Sequence, residues 1–230
     1  MTQTAESKLD VVPTVSIKDG EVVIVRKKKY ERLEDEDGEP LAPALFVEQV
    51  LKQYKRILLV DINGIERNRP QVELIQDIAE LGEVWLDPGI RHADGIIDLL
   101  VCGVEAVVMA TKTVAGVDQL AAAFEMSENI YLSIDWDGAV LGGDESIKHM
   151  NPRSLADIAK NIGVKKLIFT DLGRGPKKKG LESEIIKELA KGPIPLYVGG
   201  GVVKKDLGEI ERLGAKGALL SVLSIVQEAK

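Results

Sequence analysis

Pro195-Leu-Tyr-Val-Gly-Gly-Gly201-Val-Val-Lys-Lys-Asp206-Leu-Gly-Glu-Ile-Glu-Arg-Leu213-Gly-Ala-Lys-Gly217-Ala-Leu-Leu-Ser221 reads as a strand, a glycine turn, a helix and a second strand, one βαβ unit. Glycines directly after a short apolar strand let bare backbone N–H groups approach an anion, and the following helix adds the positive end of its dipole. Gly199, Gly200 and Gly201 are therefore candidate phosphate ligands. A tight strand-to-helix connection would use the same residues, because glycine is the default in strained turns.

The unit occurs twice. About 110 residues earlier, Val84-Trp-Leu-Asp87-Pro-Gly89-Ile-Arg91 leads through Ile97 to Gly103 into the apolar run Ala106 to Thr111. The same offset pairs Val60-Asp61 and Glu73-Leu-Ile75 with Thr170-Asp171 and Glu184-Ile-Ile186, and a slightly larger one pairs Asp19-Gly20 with Asp137-Gly138. Each copy holds several strands and helices, too long for a solenoid repeat of roughly 20 to 50 residues. Two half-domains closing on one another are expected.

The chain of 230 residues is 45% hydrophobic, enough for one substantial core. We expect residues 1–10 to be a polar N-terminal extension and 11–230 to be a single domain. No apolar run reaches the roughly 18 residues of a membrane span, and the first ten residues lack a signal-peptide core, so a cytoplasmic location without membrane association is expected. A net charge of −7 argues against general nucleic-acid binding. The single cysteine, Cys102, reads as a buried hydrophobe, and two isolated histidines, His92 and His149, give no transition-metal pattern. No metal is expected. Nor is a cofactor, since neither a dinucleotide fingerprint nor a Gly-Lys-Ser/Thr loop is present.

Eight apolar strands alternate with helices: Val11–Ile17, Arg56–Asp61, Val84–Asp87, Val104–Met109, Ile130–Asp135, Val164–Thr170, Ile194–Val198 and Lys216–Leu220. Asp19-Gly20 turns the first into a second extended piece, Glu21 to Arg26, and the charged stretch from Lys27 to Pro40 reads as a solvated loop or a lid. The twofold repeat favours a closed (β/α)8 barrel over an open α/β sheet, and places the functional site where strands end.

Those ends carry Ser16 and Lys18, Asp61, Asp87 and Arg91, Thr111 and Lys112, Asp135, Asp171 with Arg174, the glycine turn, and Ser221. A lone aspartate at a strand end is often a helix cap. Four on one rim suggest acid/base chemistry, because crowded carboxylates shift each other's pKa values, while Arg91, Lys112 and Arg174 could meet anionic substrate. The basic loop Arg174 to Gly180 reads either as solvated or as an arm closing over a phosphorylated ligand.

These segments resemble the histidine-biosynthesis barrels, the HisA/HisF family, over almost the whole chain. The match rests on Val12 to Val23 with its Asp19-Gly20, Val60-Asp61-Ile-Asn-Gly64 with Arg69-Pro70 and Glu73-Leu-Ile75, Pro88-Gly89-Ile-Arg91, and Tyr197-Val-Gly-Gly-Gly201-Val. The resemblance implies a twofold-repeated, ribulose-phosphate-binding barrel taking a substrate with a phosphate at each end. It also implies a cofactor-free Amadori rearrangement of an aminoaldose phosphate by aspartates ending strands one and five.

Departures from that pattern are specific. Ser16 stands at the strand-one aspartate, and a hydroxyl cannot replace a carboxyl in acid/base work without an activating partner. Asp135 matches the strand-five aspartate, Asp87-Pro88-Gly89 replaces a glycine cradle, Ser221 replaces a glycine, and strand four ends Ala110-Thr-Lys112. The chain therefore looks like a diverged paralogue, of the kind found in methanogens and methylotrophs, acting on a phosphorylated small molecule. Asp135 is the expected acid/base residue with Asp171 or Asp61 as its partner. Gly199 to Gly201, Ser221, Ser16, Arg91, Lys112 and Arg174 are expected on substrate. Three functions stay open: an isomerase-like enzyme; a lyase or transferase in one-carbon carrier metabolism, using a Lys18 or Lys112 Schiff base; or a non-catalytic scaffold barrel. Homo-oligomerisation is also left open.

Overall fold

The computed structural model describes residues 9–26, 29–35, 37–174 and 180–226. Its strands and helices are, in chain order, β1 (Asp10–Lys18), β2 (Glu21–Arg26), β3 (Lys29–Arg32), α1 (Pro43–Leu51), β4 (Arg56–Asp61), α2 (Ile62–Arg67), α3 (Val72–Ala79), β5 (Glu83–Asp87), α4 (Ile96–Val101), β6 (Ala106–Ala110), α5 (Val117–Met126), β7 (Ile130–Trp136), α6 (Glu145–Lys148), α7 (Pro152–Ile162), β8 (Leu167–Asp171), α8 (Ser183–Ala190), β9 (Leu196–Val202), α9 (Leu207–Arg212), β10 (Gly217–Ser221) and α10 (Leu223–Val226). Short 3-10 turns, Ala93–Gly95 and Lys204–Asp206, lead into α4 and α9.

β1 and β4 to β10 pair in parallel, each with the next, and β10 closes on β1 with Asp10 opposite Gly217 and Thr14 opposite Ser221. This is the eight-stranded (β/α)8 barrel expected from the repeat. Asp19 and Gly20, at φ +49° and +82°, make the tight turn that sends β2 back along β1, and β3 extends that ribbon antiparallel.

Strand alternation divides the core into two layers. Val12, Leu58, Trp85, Ala106, Val108, Tyr131, Ile168, Tyr197 and Leu219 fill the barrel, while the intervening residues pack outward under the helices. Trp85 meets the rings of Tyr131 and Tyr197 edge-on at 5.1 and 5.0 Å, and the Lys166 ammonium sits 4.3 Å from the Tyr131 ring centre. This aromatic plug fills the lower barrel and leaves the polar residues above it to form the mouth.

Three short elements differ from the sequence reading. β3 occupies part of the stretch expected to be a loop, with Lys27, Lys28 and Glu36 outside the described residues. α2 is too brief to show helical periodicity; it is held by Asp61 at its start and by Asn68 in the left-handed conformation at its end. α6 is a single turn capped by Asp144. Of the expected polar extension, residues 1–8 lie outside the described residues, and Asp10 already belongs to β1.

Candidate active site

Which strand-end residues face the mouth follows from counting along each strand from its plug residue. Two residues beyond Trp85 is Asp87; beyond Tyr131 come Ser133 and Asp135; beyond Ile168 is Thr170; beyond Tyr197 is Gly199; beyond Leu219 is Ser221. Counting from Val12 puts Ser16 on the same inner face.

Asp61 and Asp171 fall on the other parity, in step with outward-packed Leu59 and Phe169. Neither shares the inner face of the strands with Asp135. Asp61 is fully buried and caps the next helix: it accepts the N–H groups of Asn63 (2.9 Å), Gly64 (3.2 Å) and Gln71 (2.6 Å), plus the Gln71 side-chain amide (3.0 Å). Asp171 is the equivalent residue of the second half, and its backbone lies so close to Gly200 that a Cβ there would sit 2.2 Å from the Asp171 carbonyl oxygen.

At the mouth, Lys112 joins two carboxylates. Its Nζ donates to Asp87 Oδ2 at 2.8 Å and lies 3.6 Å from Asp135 Oδ1, while its backbone N–H donates to Asp135 Oδ2 at 3.2 Å. Behind Asp135, the Ser133 hydroxyl lies 3.4 Å from Oδ1 and 3.0 Å from the Thr170 hydroxyl. The Thr111 hydroxyl accepts the Asp135 backbone N–H at 2.9 Å, fixing the strand end that carries the carboxyl.

Burial pushes the Asp135 carboxyl up from its ordinary pKa; the Lys112 ammonium opposes that rise and the Asp87 charge adds to it. Burial likewise works against charge on Lys112, but the Asp135 and Asp87 carboxylates outweigh it and hold the pKa above the usual lysine value. Lys112 is thus an ammonium near neutral pH, suited to holding negative charge on a substrate oxygen. It is not suited to nucleophilic attack on a carbonyl.

Across the mouth, the glycine turn is a bulge in β9. Val198 pairs with Ala218 and Val202 with Leu220, so three glycines on β9 stand opposite one residue of β10. Gly200 and Gly201 adopt φ of +90° and +64°, open to glycine at little cost. Arg174 spans this bulge: Nη2 lies 2.9 Å from Asp206 Oδ1 and Nη1 donates to the Gly201 carbonyl at 3.5 Å. Ser221, the end of β10, is the adjacent inward residue. Gly199 to Gly201, Arg174 and Ser221 therefore form one rim cluster. Gly175 to Lys179, the centre of the expected closing arm, lie outside the described residues.

Arg91, expected on substrate, is held by the protein's own backbone. Its guanidinium donates to the carbonyls of Gly64 (3.2 Å), Ile65 (2.8 Å) and Gly89 (2.8 Å) and to the Asn68 side chain (2.9 Å), closing the C-terminal end of α2. β3 adds a residue that the sequence reading missed: the Tyr30 ring covers the Lys18 ammonium at 4.2 Å, with Lys18 paired to Glu66 at 2.7 Å. Nothing in a charged segment signals that one tyrosine returns to the barrel rim. Among the described residues, no three His, Cys, Asp or Glu side chains gather as a metal site requires.

Comparison with known proteins gives a consistent set of matches. Residues 10–224 match the family described as histidine biosynthesis protein. Similar proteins are 1-(5-phosphoribosyl)-5-((5-phosphoribosylamino)methylideneamino) imidazole-4-carboxamide isomerases. The one from Chloroflexus aurantiacus is 26% identical, covering 92% of this chain and 90% of its own. The one from Archaeoglobus fulgidus is 28% identical over 91% and 90%, and that from Nitrosococcus oceani 30% identical over 88% and 83%.

Proposed function

The chain belongs to the histidine biosynthesis protein family, and from that premise we propose that it is an enzyme converting a phosphorylated aminoaldose to the aminoketose with a modified acid/base pair. The observation that carries this reading is the Lys112 ammonium set between the Asp87 and Asp135 carboxylates at the mouth. The relatives' name supplies the reaction class, isomerisation of a phosphoribosylamino compound.

Asp135 is the proton carrier. Acting on the ring-opened imine, its carboxylate removes the proton from sugar C2 and returns it to C1. Lys112, hydrogen-bonded to the C2 oxygen, favours loss of that oxygen's proton as the ketone forms. The solvent proton taken up on ring opening is released at this last step, so the isomerisation is proton-neutral. Ser16 contributes a hydroxyl to the inner wall and no acid/base function. Gly199 to Gly201, Ser221 and Arg174 hold the phosphate, leaving the sugar to reach across toward Asp135. A Schiff-base lyase is disfavoured by the same pair of carboxylates, which keep Lys112 protonated.

Steady-state assays of the purified protein test this, with ribosylamine 5-phosphate beside the relatives' imidazole carboxamide substrate. Aminoketose formation from ribosylamine 5-phosphate is expected, with Asp135→Asn lowering kcat by about 10²- to 10⁴-fold at little changed KM. Full turnover of the relatives' substrate would place the chain among them unmodified. An Asp135→Asn variant of wild-type activity would remove the mechanism.

A further inference from the structure

From the strand-end glycine turn onward, the two halves of the barrel superimpose in sequence with one constant shift. α4 and α9, β6 and β10, and the 3-10 turns before α4 and α9 all stand 111 residues apart. Under that shift Pro88-Gly89-Ile90 corresponds to Gly199-Gly200-Gly201, and Gly89 shares the positive φ of Gly200, +65° against +90°. The two rims share that left-handed glycine, while Gly201 at +64° has no such counterpart in Ile90.

In the second half the glycine bulge carries no side chain of its own and is flanked by Ser221 and by Arg174, whose guanidinium reaches the Gly201 carbonyl and pairs with Asp206. In the first half Pro88 has no N–H, and the Gly89 N–H already donates to Asp87 Oδ1 at 3.1 Å. The other Asp87 oxygen takes the Lys112 ammonium at 2.8 Å. Arg91, the remaining cation of this rim, is turned away onto backbone carbonyls and Asn68. Asp87 is only 5% exposed, so an approaching phosphate would meet a fixed carboxylate whose two oxygens already hold the donors it needs.

We infer that the substrate carries a single phosphoryl group, bound at Gly199 to Gly201, and that Asp87 acts as a built-in anion in the place of a second. The part of the substrate lying against the first half then bears hydroxyl, carbonyl or amine groups and no second phosphate. The cluster there, two carboxylates and one ammonium, favours a neutral or cationic group. This rests on the phosphate-binding reading above and specifies it.

Titration of the protein with inorganic phosphate, followed by calorimetry and phosphorus NMR, separates the two ideas. One site per chain is expected. Two sites in the unmodified protein would overturn the single-phosphate inference and leave phosphate binding intact; no site would overturn both. Asp87→Asn removes the internal charge and frees Lys112, and should create a second, weaker phosphate site; a folded Asp87→Asn protein that still binds one phosphate would contradict the role given to Asp87. Unmodified protein supplies an independent check: ribose 5-phosphate and ribulose 1,5-bisphosphate should bind within a few-fold of each other, whereas about tenfold or greater preference for the bisphosphate would count against the inference.

Discussion

Asp135 and Asp61 both end apolar strands, and one step of strand parity separates a mouth carboxylate from a helix cap. Asp135 lies in step with Tyr131 inside the barrel, and Asp61 in step with Leu59 beneath the helices. Their environments make different predictions. Because burial raises the Asp135 pKa and Asp87 adds to the rise, the ionised base is lost on acidification at a higher pH than for an ordinary carboxylate near about 4. The acidic limb of kcat/KM should lie above that value. Asp87→Asn should move it downward, since a like charge is removed and Lys112 is freed to act on Asp135 alone. A limb that stays in place, or moves upward, would show that Asp135 is not the titrating base.

At the scale of the element, β4 with α2 and β9 with its bulge divide structural from functional roles. Asp61→Ala removes the N-cap of α2 and leaves buried N–H groups unpaired, which should cost about 1–3 kcal/mol of stability in thermal unfolding while the folded enzyme keeps its kcat. A kcat loss as large as that of Asp135→Asn would return Asp61 to the chemistry. The sequence made the strands, their order and the half-barrel repeat legible, because parallel strands buried on both faces are continuous apolar runs and the glycine and proline punctuation around them is plain. That same continuity hid which face each residue takes: Val60-Asp61, Leu86-Asp87, Ile134-Asp135 and Thr170-Asp171 look alike in one dimension. Arg91 is hard to read for a related reason, since a cation beside a glycine turn resembles an anion ligand, and α2, invisible to periodicity, supplies its carbonyl partners. Lys112 and the cluster Gly199, Gly200, Gly201, Arg174 and Ser221 lie at the rim, on strand ends or just beyond them, where the order of strands alone could bring them.

For the whole molecule, the barrel is closed below and open above. The plug around Trp85, with Tyr131, Tyr197 and Lys166, fills the lower interior, so substrate is expected to enter from the rim that carries Lys112, Asp135 and the glycine bulge. β2 and β3 leave the barrel as a ribbon whose base is fixed: the Asp19 carboxylate takes Arg67 at 2.7 Å and Asn63 at 3.0 Å, and the Gly20 N–H donates to Gln71 at 2.7 Å. Tyr30 is thereby held beside Lys18 at one edge of the mouth. Among the described residues no helix is long and apolar enough to cross a membrane. The two halves share a backbone plan and differ in their rims, one ending in a glycine bulge and the other holding its own carboxylate against a lysine. The measurement that tests this account most directly is the conversion of ribosylamine 5-phosphate in D2O, followed by proton NMR with the unmodified protein and with Asp135→Asn. Aminoketose whose C1 keeps the hydrogen taken from C2, formed by the unmodified protein and lost in the variant, is the predicted result; full deuteration at C1, no conversion by either protein, or equal conversion by both, would contradict it.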